Sequence, residues 1–66
     1  MQNLTLTARM VRDVLALQGP KSLGELHETI NADKNLIQAY LLELASAGEV
    51  SYDYETGTWG SDVVLQ

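Results

Sequence analysis

"SLGELHETINADKNLIQAYLLELASAGEV", Ser22 to Val50, holds two helical patterns joined by a tight turn and closed by a glycine, and this succession decides the fold. Ser22 followed three residues later by Glu25 has the form of a capping box, in which each side chain satisfies an amide that the helix start leaves unpaired. A helix over about 23–30 should follow, with Leu23, Leu26 and Ile30 as its inward stripe. "NAD", Asn31 to Asp33, reads as a turn, with Asp33 the N-cap of another helix over about 34–47. On that helix Ile37, Tyr40, Leu41 and Leu44 share one face, and Asn35, Gln38, Ala39, Leu42, Glu43 and Ser46 point the other way. Gly48 supplies the stop.

Working outward, a first amphipathic helix is expected over about 7–18. Met10, Val11, Val14, Leu15 and Leu17 form its buried face, Arg9, Arg12, Asp13 and Ala16 lie opposite, and Gly19 and Pro20 end it. After Gly48 the period changes to two: Val50, Tyr52 and Tyr54 alternate with Ser51, Asp53 and Glu55, the pattern of a half-buried strand. Strands over about 49–55 and 58–65 with a Thr56–Gly57 loop make a hairpin in which Tyr54 faces Trp59 and Val50 faces Val63. The first four residues read as either a short edge strand or a frayed end. The whole chain, 1–66, is thus expected to be one α+β domain: a winged helix-turn-helix, three helices followed by a two-stranded β-hairpin wing.

A domain of 66 residues buries only about 60% of the surface its unfolded chain exposes, so every element must share one core. Hydrophobic residues at 45% and charged ones at 20% place the chain with globular proteins rather than disordered tails. The net charge is -5, and its distribution says more than its size. All four basic residues, Arg9, Arg12, Lys21 and Lys34, lie at or before position 34, whereas Glu43, Glu49, Asp53, Glu55 and Asp62 follow with no cation among them to neutralise them. An acidic half disfavours phosphate backbones and anionic membranes and favours basic or apolar protein partners. Cysteine is absent, which excludes disulfides, thiolate metal sites and a cysteine nucleophile, and fits a cytoplasmic protein. "MQNLTLTARM" lacks a basic stretch followed by an apolar one, so neither a signal peptide nor a membrane span is expected.

The chemistry of an enzyme is hard to assemble from these residues, and we read the chain as non-enzymatic, with no cofactor and no metal. His27, the single histidine, flanks the buried stripe of the second helix, where a structural or solvated role outweighs that of a catalytic base. Asp53 and Glu55 sit two apart on one strand face, but a hard cation needs six or more oxygen ligands, and a solvated acidic face accounts for them. No glycine-rich phosphate loop occurs, because Gly57 and Gly60 flank a tryptophan in a hairpin. Trp59, Tyr52 and Tyr54 could stack single-stranded bases, yet they lack neighbouring cations; in so short a chain they read as residues that close the core.

Helix-turn-helix proteins position themselves on phosphates and read bases from the helix in the major groove. Asn35 and Gln38 are able to read adenine edges. Lys34 is their only nearby cation, aided by roughly half a positive charge at the helix N-terminus. Such a surface neutralises about one phosphate, and Asp53 and Glu55 repel the backbone, so a monomer should bind DNA weakly or not at all. The same face suits a protein. Ala39 and Leu42 form a small apolar strip with Leu36 at its edge, rimmed by Asn35, Gln38, Glu43 and Ser46.

"VRDVLALQG", Val11 to Gly19, followed by the stretch quoted at the outset, resembles FeoC, the small winged-helix component of the bacterial ferrous iron uptake system. The likeness runs from about Val11 to Tyr52, and its specific part is the first-helix stretch. It implies a cytoplasmic protein with one of two roles, transcriptional regulation or association with the cytosolic part of the FeoB permease. Many members carry cysteines in the wing that hold an iron-sulfur centre; this wing, "YDYETGTWGSDVV", has none, so that role does not carry over. Residues and resemblance together lead us to expect an accessory protein of ferrous iron transport that contacts the permease through Asn35, Leu36, Gln38, Ala39 and Leu42. The alternatives are a DNA-binding transcriptional regulator, which requires a dimer or a basic co-protein, and an acidic inhibitor that occupies the surface of a basic protein.

Overall fold

The computed structural model describes residues 7–63, and each boundary within them has a local cause. Helix α1 spans Ala8–Gln18. Thr7 is its N-cap rather than its first residue, with Oγ1 accepting the Met10 N–H at 3.3 Å. Helix α2 spans Leu23–Ile30 behind a complete capping box: the Ser22 N–H donates to Glu25 Oε1 at 2.9 Å and the Glu25 N–H to Ser22 Oγ at 3.2 Å. Ser22→Ala is expected to cost about 1 kcal/mol, seen as a fall in Tm of about 4–8 °C in thermal denaturation of a domain this small.

Asn31 then turns the chain through the left-handed region at φ 62°, which asparagine tolerates better than most residues. Helix α3, Lys34–Ser46, opens at once, because Asp33 Oδ1 accepts the Asn35 N–H at 2.8 Å. It closes in a Schellman arrangement: the Gly48 N–H donates to the Ala45 carbonyl and the Glu49 N–H to that of Leu44, with Gly48 at φ 77°. A β-carbon at that φ would strain the backbone, which is why glycine marks the switch from helix to strand.

Strands β1, Val50–Asp53, and β2, Thr58–Ser61, pair antiparallel. They are shorter than the sequence pattern suggests: β2 ends before Asp62 and Val63, which form a bend, whereas the expected residues 64–65, like the question of an N-terminal edge strand, fall outside the described residues. The register also differs by two: Trp59 faces Tyr52, not Tyr54, and Val50 faces Ser61, not Val63. Asp53 is the reason. Its Oδ1 accepts the Glu55 N–H and its carbonyl accepts the Gly57 N–H, so residues 54–57 form a four-residue loop with Gly57 at φ 71°. A slip of two keeps every side chain on its expected face while changing its partner. Lys21, between α1 and α2, adds a bridge that periodicity could not reveal: its N–H and carbonyl exchange bonds with Trp59 at 3.0 and 2.7 Å. The result is the layout of a winged helix.

One core is built from four of the five elements: Val11 and Leu15 of α1, Leu26 of α2, Ile37, Leu41 and Leu44 of α3, and Val50 of β1. Val14, Leu23, Ile30, Tyr40 and Trp59 pack around it. The buried stripe of α1 is narrower than expected. Met10 and Leu17 are 42% and 74% exposed, because at 3.6 residues per turn both lie well round the helix from the Val11–Leu15 line that meets α3 and β2.

Candidate functional site

The five side chains expected to meet a partner, Asn35, Leu36, Gln38, Ala39 and Leu42, are all exposed, as follows from the burial of Ile37, Leu41 and Leu44 on the opposite face of α3. Gln38 and Leu42 border a cleft of about 370 Å3 between α3 and the wing, with Leu23, Tyr52, Tyr54 and Trp59 as further walls. Asn35 and Ala39 run along the outward crest. Leu36, 43% exposed, lies round the helix from Gln38, on the flank nearer Tyr40.

The cleft adds three aromatic residues to the expected site. Their alternation marked them in the sequence, where they read as core. For Trp59 that holds: it packs against the core and is pinned by the Lys21 bridge. Tyr52 is 39% exposed and Tyr54 89%. The rings nevertheless form a cluster. Tyr52 meets Tyr54 edge-on at a centroid distance of 4.9 Å and Trp59 at 5.0 Å with a tilt of 57°. Tyr54, the first residue of the wing loop, thus has Tyr52 as its ring neighbour rather than the cross-strand Trp59 expected. Leu23 enters from the start of α2, a neighbour only the tertiary fold supplies.

Charge around the cleft differs in one respect from the sequence reading. Glu49 is not unneutralised: Arg12 Nη1 donates to Glu49 Oε1 at 2.9 Å, and Arg12 Nη2 to Asp13 Oδ1 at 3.1 Å. The bond to Glu49, and after it the one to Asp13, raises the Arg12 pKa above its ordinary value. A raised pKa adds stability below the unfolded value and loses it only as pH rises through the folded one, so Arg12 stays charged throughout the neutral range. The tie also removes one of the four cations from any phosphate. Lys34, on the first turn of α3, is the sole cation of that helix. His27 Nδ1 bonds the Ala32 carbonyl oxygen and steadies the turn between α2 and α3. The Asp53 carboxylate shapes the wing loop, and among the described residues no group of three histidine or carboxylate side chains converges on one point.

No family model, curated protein or solved structure matches the chain. Among the described residues, no helix is long and apolar enough to cross a membrane. The lining of the cleft between α3 and the wing is an apolar wall of Leu23, Leu42 and Trp59 with two accessible tyrosines, and it includes no lysine or arginine.

Proposed function

We propose that the protein is a non-enzymatic winged-helix adaptor that docks a protein partner through α3 and the wing. The observation that carries this reading is the cleft itself, where a winged helix meant for DNA would need cations. Its lining is leucine and aromatic, Leu23, Leu42, Tyr52, Tyr54 and Trp59, with Gln38 as the one amide side chain, a composition that suits the core of a protein interface. The resemblance of Val11–Tyr52 to FeoC makes the cytosolic part of the FeoB permease the first partner to test, in a cytoplasmic protein modulating ferrous iron transport.

The test is an NMR titration of the isotope-labelled protein, in separate tubes, with the cytosolic domain of the host permease and with mixed-sequence DNA at low salt. Shifts confined to α3 and the wing are expected with the permease domain, and none with DNA. Shifts with DNA alone would put transcriptional regulation first, a reading the winged-helix layout favours in itself. An acidic inhibitor of a basic protein would instead show binding that collapses as salt screens exposed charges.

A further inference from the structure

The two tyrosines of the wing stand between two hollows. On one side is the cleft toward α3; on the other, Tyr52 and Tyr54 border a second depression of about 560 Å3 together with Asp53, Glu55 and Pro20. Asp53 and Glu55 meet no cation: the ion pairs among the described residues are those of Arg12 with Asp13 and with Glu49. From Asn35 to Gln66 the sequence has no lysine or arginine.

We infer that the occupant of this surface is a basic peptide segment of a partner protein, one that carries an apolar side chain next to an arginine. The inference rests on the protein-docking reading above and specifies its chemistry. The apolar side chain enters the cleft against Leu42 and Trp59, where it leaves water for a leucine and indole wall. The arginine crosses the tyrosine ridge, its planar guanidinium lying on the accessible rings within the field of Asp53 and Glu55. Arginine suits the site better than lysine because a guanidinium is less strongly hydrated and can stack on a ring face. A nucleic acid would bring phosphates to an acidic wing. A second copy of this chain would bring the same net charge of -5.

Trp59 is the sole tryptophan, so its fluorescence reports the cleft directly, and amide shifts of Tyr52 and Tyr54 report the ridge. The probes are the peptide acetyl-Gly-Leu-Arg-Leu-Gly-amide and its counterpart with citrulline, which keeps the shape of arginine without its charge. At millimolar peptide and low salt, the arginine peptide is expected to move all three signals and to bind about fivefold more tightly than the citrulline one. Tyr54→Ala, at a site exposed enough to leave the fold intact, should bring the two peptides level, and Glu55→Gln should narrow the gap. Equal affinities in the unaltered protein, shifts away from the wing, or no response to the arginine peptide would overturn the inference. If the permease domain binds at α3 and the wing while the peptides bind alike, only this inference fails. If the arginine peptide is preferred but the permease domain does not bind, the named partner is wrong and the chemistry of the surface stands.

Discussion

Leu41→Ala is expected to remove about 3 kcal/mol of folding stability, the middle of the range for emptying a fully buried leucine site. Leu41 is 0% exposed at the centre of α3, in the one cluster that gathers all three helices and β1. A domain of this length has a total stability of only roughly 3–10 kcal/mol, so the loss takes a large share of it. The small core makes matters worse, because no second layer can collapse into the space. Chemical denaturation should show the midpoint falling with little change in slope, and Tm should drop by about 12–24 °C. A shift of only a degree or two would mean that the buried face of α3 is not the centre of the core.

Leu42→Glu, one residue further on, is expected to have the opposite profile. Leu42 is 55% exposed and its side chain borders the cleft, so folding stability should stay within about 0.5 kcal/mol of the parent protein. Partner binding should weaken at least about 30-fold, the effect of losing an anchor worth some 2 kcal/mol. A carboxylate there both removes apolar area and adds to an already acidic face. Leu36→Glu is the matched control, with the same chemistry on the same helix but outside the cleft, and should bind far closer to the parent protein. Calorimetry with the permease domain measures both. Equal losses from the two variants would spread the interface over all of α3, and an unfolded Leu42→Glu would contradict the helical phase itself.

These two leucines show how far the residues alone can take the reading. Their opposite fates follow from a helical period that assigns neighbours one position apart to different faces. The same local logic located the capping box of Ser22 and Glu25, the Asp33 cap and the Gly48 stop, because each is a bond or a φ value within a few residues of chain. The hairpin register was less legible. Thr56 and Gly57 suggest a two-residue loop, and nothing in the alternation of Val50, Tyr52 and Tyr54 announces that the Asp53 side chain and carbonyl will hold a four-residue one. For α1, a wide apolar arc was visible, but the part of it that meets α3 and β2 depends on elements distant in sequence. Met10 and Leu17 lie beyond that contact.

The sequence by itself determined the order and type of the elements, the faces that α2 and α3 bury and the acidic character of the second half, since these depend on period, capping chemistry and composition. Only the tertiary structure decided that Leu23, Leu42, Tyr52 and Trp59 share one cleft, that Lys21 bridges to Trp59, and that Arg12 is committed to Glu49. Each of these joins residues from separate elements. The physical reason is that a short chain folds around one core, and the angles at which its helices and hairpin meet there set which exposed side chains become neighbours.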